Sequence, residues 1–199
     1  MTQSINNKVL SRIYCKKRGW VFTPVNFLDL GSRAAIDQIL GRLARSGTIR
    51  RLARGLYDYP RKHPDFGDIP SNYERIAQVL AGRDSLKIQP SGAYAANLLG
   101  LSDQVPAKIV FLTDGHSRTV KVGKLTIKLK RTTPKNMATA GRISGLVIHA
   151  LRYLKKNNVD SAIIAKLKRR LSGEDKSILM RDLRYAPVWI GEIFRRLIQ

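Results

Sequence analysis

The chain reads as an α+β protein: an N-terminal winged helix-turn-helix, then a mixed α/β domain with an antiparallel hairpin and a helical C-terminal region. Three observations predict this. Apolar residues between Ser32 and Gly47 recur at helical spacing, and two short strand-like runs follow at once. Polar and apolar residues alternate on both sides of Gly123-Lys124, the pattern of a hairpin with one buried face. From Arg142 to the end the apolar spacing is helical throughout.

Residues 4–18 form the first expected helix, with Ile5, Val9, Leu10 and Ile13 on one face and Gly19 as its stop. Cys15 falls near that stripe and reads as a small core residue. Trp20-Val21-Phe22 is a short strand suited to pair with the wing. Pro24 fits the first turn of a second helix, capped by Thr23 and ended by Gly31. Ser32 caps the next helix, in which Ile36, Ile39, Leu40 and Leu43 make the buried stripe. Its opposite face carries Ala34, Gln38, Gly41 and Arg45, flanked by Arg42 and Arg33. Small residues there permit close approach to another surface, and Gln and Arg donate to base edges and phosphates.

Thr48–Leu52 and Leu56–Tyr59 read as strands joined at Ala53-Arg54-Gly55, the glycine supplying a positive φ. Together these pieces describe a winged helix-turn-helix over residues 1–60. The helix after Ser32 would lie in the DNA major groove, and Arg50, Arg51 and Arg54 of the wing along the backbone or in the minor groove. The expected DNA-binding residues are therefore Ser32, Arg33, Ala34, Gln38, Arg42, Arg45, Arg50, Arg51, Arg54 and Gly55. The competing reading is a small α+β element whose arginines merely form a solvated face.

Residues 61–71, with three prolines and a glycine between Pro60 and Pro70, read as a linker. The second domain then spans 72–199. It begins with a helix from Asn72 to Leu80, a strand Leu86–Gln89, and a helix from the cap Ser91 to Leu99. Strands follow at Lys108–Thr113, Arg118–Val122 and Leu125–Arg131, with Lys121, Lys128 and Lys130 on one solvent face of an antiparallel sheet. Apolar stripes then mark helices around Ile143–Leu154, Ile163–Leu171, Asp175–Arg184 and Pro187 to the C-terminus. His149 lies beside the first of these stripes and reads as a packed histidine.

The 37 lysines and arginines outnumber the 14 acids, for a net charge of +23. That excess points to a polyanionic partner, nucleic acid first, and its dispersal among apolar residues places it on folded surfaces rather than in a tail. No apolar run is long enough for a membrane span, and the polar start does not read as a signal peptide. The single Cys15 offers neither a disulfide framework nor a thiolate metal site, so a reducing cytoplasm is expected. The acids are dispersed and the three histidines lack a Ser or Cys partner. No catalytic residue, metal or cofactor is expected, and the chain is read as a binder rather than an enzyme.

The stretch SRAAIDQILGRLARSGTIRRLARGLYDYP, followed by PSGAYAANLLGLSDQVPAKIVFLTDGHSRTVKVGKLTIKLKR, resembles the AbiEi-type antitoxins and their transcriptional-regulator-like relatives. The shared pieces are the helix followed by an RGLY wing, the helix bearing Ser91, Ala95, Leu98, Gly100 and Leu101, then Pro106, and the basic hairpin after Thr113. The resemblance covers residues 4–135. It implies an N-terminal winged helix that represses its own operon by binding inverted repeats in the promoter. It implies also a C-terminal domain that counteracts a nucleotidyltransferase-like toxin in a type IV system, with no stable complex required. Carried onto this chain, DNA contacts fall on Arg33–Arg45 and on the wing at Arg50, Arg51, Arg54 and Gly55. Antitoxin function falls on the domain from Tyr73 onward, whose basic surface includes Lys121, Lys124, Lys128, Lys130 and Arg131. The alternatives are a stand-alone winged-helix regulator and a basic RNA-binding module. Duplex DNA is favoured over RNA because the deep major groove of A-form helices excludes a reading helix.

Overall fold

The structure, a computed structural model, describes residues 4–65, 67–82, 87–104 and 106–198. It is α+β and divides into two compact units, one of residues 1–79 with 121–123, the other of residues 80–120 with 124–199.

In the first unit, helix α1 (Ile5–Cys15) starts where the Ser4 side chain accepts the Asn7 N–H at 3.3 Å. Val9 and Ile13 are buried, whereas Cys15 is exposed, against the expectation of a core position. Two residues past Ile13 at about 100° each, it points away from the buried stripe. After β1 (Val21–Phe22) comes a 3₁₀ turn, Pro24–Phe27, in place of the longer helix expected there. Asn26 Oδ1 accepts the Thr23 N–H at 2.9 Å, and Arg12 grips both the Asn26 carbonyl and the Asp29 carboxylate, drawing the chain out of helical register. The same guanidinium, through its hydrogen bond, holds the Asp29 carboxyl below the usual carboxylate range.

Helix α2 (Arg33–Arg45) is capped by Ser32, whose hydroxyl accepts the Ala35 N–H at 3.3 Å. Its stripe of Ile36, Ile39, Leu40 and Leu43 is buried as the spacing predicts. Strands β2 (Arg50–Ala53) and β3 (Leu56–Asp58) form a hairpin turning at Arg54 and Gly55, with φ of +70° at Gly55. The sheet order is β1-β3-β2, antiparallel, with Val21 and Arg50 both opposite Asp58. Beneath it, the Phe22 ring stacks on Trp20 at 4.5 Å and meets Phe27 edge-on at 5.5 Å. Such pairs add about 0.5–1.5 kcal/mol beyond area burial.

The expected linker is instead a second hairpin, β4 (Arg61–His63) with β5 (Gly67–Ile69), antiparallel with Arg61 opposite Ile69. Pro60, Pro64 and Pro70 flank the strands rather than interrupt them, so no ladder donor is lost. Helix α3 (Tyr73–Ala81) follows, capped by Asn72 Oδ1, which accepts from the N–H groups of Glu74 and Arg75. The division between units falls within α3 rather than in the proline-rich stretch.

The second unit contains β6 (Ile88–Ser91), α4 (Gly92–Leu98), β7 (Lys108–Thr113), the start of β8 (Arg118–Val122), whose end from Lys121 groups with the first unit, and β9 (Leu125–Arg131). Leu86, the first residue of the expected strand there, lies outside the described residues. The strand order is β6-β7-β9-β8. β6 runs antiparallel to β7, but β9 runs parallel to it, pairing Ile109 with Ile127 and Phe111 with Leu129. The sheet is therefore mixed, not the antiparallel sheet expected. Helices α5 (Pro134–Met137), α6 (Ile143–Leu154), α7 (Ser161–Arg170), α8 (Gly173–Arg181) and α9 (Val188–Ile198) complete the unit. α6 packs on α4 and β6, α8 on α6 and α9, and α7 on α9. Their core joins Ala95, Leu151, Leu167, Leu179, Ile190 and Phe194. Gly145 of α6 lies so close to β6 that a Cβ there would come within 2.7 Å of Gln89 Oε1.

Helix α8 begins with a Ser172–Asp175 capping box and ends at Arg181, short of the expected Arg184. Asp182 turns inward instead, accepting from Arg142 Nη1 at 2.8 Å and from the Ser144 hydroxyl, and Leu183–Tyr185 is a 3₁₀ turn.

His149 is 5% exposed, as the packed-histidine reading expects. Burial first, and the charge of Arg152 second, lower its pKa from 6.5, against a smaller raising effect of a backbone hydrogen bond at Asn136. A lowered folded-state pKa leaves stability intact above the unfolded value of about 6.5 and erodes it as pH falls through the folded value. Melting curves of the chain and of His149→Gln at pH 7.5 and 5.5 should therefore show a smaller acid loss in the variant. Equal acid losses would show that His149 carries no such linkage.

Candidate nucleic-acid interface

The two faces of α2 differ in kind. Ile36, Ile39, Leu40 and Leu43 are buried under the first sheet, while Arg33, Ala34, Gln38, Arg42 and Arg45 are exposed. At Gly41, between those exposed residues, a Cβ would meet nothing within 4 Å, so this side of the helix is open. Ser32 is exposed at the helix start with its hydroxyl committed to the cap. Arg33 is tied loosely to Asp37 one turn on, at 2.9 Å and with both side chains about half exposed, a pair of the sort that contributes at most a few tenths of a kcal/mol. Arg45 donates from Nε to the Gly41 carbonyl at 3.4 Å, which leaves its terminal nitrogens outward.

The hairpin splits its arginines by strand alternation. Arg51 and Arg54 are exposed, and Gly55 makes the turn. Arg50 faces the other way: its guanidinium binds both oxygens of Asp58, at 3.1 and 2.7 Å, and donates also to the Ile69 carbonyl and the Ser71 hydroxyl. Asp58 is 1% exposed and takes a further bond of 2.5 Å from Ser71. That hydrogen bond to Asp58 raises the Arg50 pKa, despite partial burial. Arg50 is thus bound within the protein, and the free cations of the hairpin are Arg51 and Arg54. The sequence held a signal for this. An aspartate between Tyr57 and Tyr59 in a strand otherwise apolar needs a cation if the strand is buried.

On the β8–β9 hairpin Lys121, Lys124, Lys130 and Arg131 are exposed and Lys128 is half-buried. Alternation along β9 sets Lys128 and Lys130 on one face, opposite Val110 and Leu112 of β7, with Arg131 on the other. A second row, Lys166, Arg169 and Arg170 of α7, borders a shallow hollow with Leu99 and Gly100. They lie on the side of α7 away from its buried Ile164 and Leu167. Among the described residues, ion pairs engage Arg12, Arg33, Arg50, His63 and Arg142, and none of the other cations named here. No cluster of three or more His, Cys, Asp or Glu suited to a metal occurs among the described residues. Nor is any helix among them long and apolar enough to cross a membrane.

An α+β chain with basic residues exposed on both units can be compared with known proteins. It belongs to the family of unknown function DUF6088, whose sequence profile matches residues 8–179. Its fold is similar to that of the crystal structure of the RV2827C protein from Mycobacterium tuberculosis, with a TM-score of 0.51. That match has 16% sequence identity and covers 100% of this chain and 77% of the other, a likeness that speaks for the fold alone. No curated protein matches the chain.

The two hairpin arginines should separate by substitution. Arg50→Ala strands the buried Asp58 carboxylate and should lower stability to urea by about 3 kcal/mol, the low end for a broken buried pair. Arg54→Ala, on the open turn, should stay within about 0.5 kcal/mol of the parent. Equal stabilities for both variants would remove the internal role of Arg50.

Proposed function

We propose that the chain is a transcriptional regulator of the winged helix-turn-helix class, with α2 as the reading helix and the β2–β3 turn as the wing. The observation that carries this reading is the two-sidedness of α2, one face closed on the core and the other open, lined by Gln38, Arg42 and Arg45 around Gly41. Base-edge readout in a major groove needs long donors on a helix whose backbone can come close, and that face supplies both. Arg51 and Arg54 serve the wing as phosphate ligands, while Arg50 holds the wing in shape. A net charge of +23 supplies the sequence-independent attraction to the duplex.

The second part of the proposal is that this regulator is also an antitoxin of the AbiEi type, acting in the cytoplasm against a nucleotidyltransferase-like toxin and repressing its own operon at promoter inverted repeats. Its support is the resemblance over residues 4–135 and the exposed cations Lys124, Lys130 and Arg131 on the second unit, with Lys121 on the same β8–β9 hairpin. Binding, not catalysis, is the role of both units in this reading.

Binding of the cognate promoter fragment should fall steeply with salt, by about 0.9 decade per decade for each phosphate neutralised. Arg45→Ala should cost about 1–3 kcal/mol on the operator and little on random duplex, whereas Arg54→Ala should weaken both and flatten the salt slope by about one phosphate. Gel shifts unchanged in both variants would overturn the interface. The antitoxin role is tested separately by co-expression with the toxin gene of the same operon. Growth should recover with the full chain, and with a chain carrying Arg45→Ala if neutralisation belongs to the second unit. Intact operator binding without recovery would leave a stand-alone regulator.

A further inference from the structure

We propose that a concavity of the first unit, between the end of α1, the β4–β5 hairpin and the start of α3, is a phosphoryl-binding site whose ligands are Arg61 and Arg75. It has a volume of about 370 Å³ and is lined by Gly19, Asp58, Arg61, Ile69, Pro70, Ser71, Asn72 and Arg75. Arg61 donates from Nε to the Arg18 carbonyl at 3.4 Å, and Arg75 from Nη1 to the Gly19 carbonyl at 3.0 Å. Two guanidinium groups are thereby anchored on successive carbonyls of the chain, one residue apart, with most of their N–H donors unspent. Arg18 itself stacks over Tyr59 and donates to the Pro60 carbonyl, adding a third positive charge beside the pair.

Charge balance selects the ligand. The acid in the lining, Asp58, already accepts from Arg50 on both oxygens and from Ser71, and no ion pair holds Arg61 or Arg75 among the described residues. The Asn72 amide oxygen is spent on capping α3, so the helix start does not supply the attraction. Two fixed guanidinium groups in a concave site match the tetrahedral oxygens of a phosphoryl group, which accepts from both at once. Ile69, 38% exposed, and Pro70 add an apolar wall against which a sugar or base can rest. Gly19 is part of the construction. Its φ is +91°, and a Cβ there would lie 2.6 Å from Arg61 Nε, so a side chain at this position would displace the Arg61 guanidinium.

The phosphoryl group comes either from a duplex backbone, an arm that rests on the regulator reading above, or from a free nucleotide, which does not. The experiment uses the full chain, Arg61→Gln with Arg75→Gln, and Gly19→Ala as a second variant that displaces Arg61 without removing it. Pyrophosphate titration is followed on the arginine Nε–Hε resonances, and random-duplex binding is measured across salt. In the parent, pyrophosphate should move the Arg61 and Arg75 resonances, with the shifts lost in the double variant and weakened in Gly19→Ala. If the source is a duplex backbone, the double variant should also bind duplex at least about tenfold more weakly, with a salt slope smaller by about two phosphates. A pyrophosphate response with duplex binding unchanged assigns the site to a free nucleotide. Failure of the parent to bind any duplex sinks the regulator reading while pyrophosphate still decides the site. No difference between parent and double variant with either probe overturns it.

Discussion

In a chain with 37 basic and 14 acidic residues, Asp58 and Asp182 are each 1% exposed, and each accepts from one arginine and one serine. Asp58 joins Arg50 of β2 and Ser71 ahead of α3, and through Arg50 also the carbonyl of Ile69. Asp182 joins Arg142 and Ser144 at the start of α6 to the end of α8. A buried carboxylate left without its cation costs several kcal/mol, so each network fixes the placement of segments far apart in sequence. The hairpin clipped to the first sheet and the closed end of α8 are both consequences.

That use of carboxylates decides what the remaining cations are free to do. Acids are few, and those in ion pairs are mostly bound to a specific arginine inside one unit. Among the described residues, Arg42 and Arg45 of α2, Arg54 of the β2–β3 turn and the cations of the β8–β9 hairpin and α7 have no ion-pair partner. A surface of that kind is held soluble by repulsion and draws in polyanions, with a strength that falls with salt. The proposed regulator needs no other source of affinity. Specificity then has to come from the few donors that reach beyond phosphates, which is why the open face around Gly41 matters more than the total charge.

The sequence spoke most clearly where local chemistry and burial agree. The Ser32 cap, the stripe from Ile36 to Leu43, the turn at Gly55 and the hairpin at Gly123 all rest on contacts within a few residues, and they stand where periodicity puts them. Helices α6, α7 and α9 follow the same rule. What could not be read depends on partners distant in the chain. β9 inserts between β7 and β8 through parallel pairing, which no hairpin pattern encodes. The prolines of residues 60–70 signal a break in structure, yet here they bracket two short strands clipped down by Arg50. Cys15 looked apolar by neighbourhood and is exposed by helical phase.

The inward turn of Arg50 shows why composition alone misassigns a basic patch. Arg50 and Arg51 are adjacent and chemically identical, and the sequence treats them alike. The strand's two-residue period sends one to the buried side, where Asp58 waits opposite, and the other to solvent. A guanidinium on the buried side must be paired, and once paired it no longer contributes to the field outside. The charge that the hairpin turns outward is therefore smaller than its arginine count, while Arg50 ties the strand bearing Arg51 to the chain around Ile69 and Ser71. In the proposed wing, two outward arginines on a strand tied down in this way lose less conformational entropy on meeting a phosphate backbone than three on a loose one, so the internal pair supports the proposed interface instead of subtracting from it.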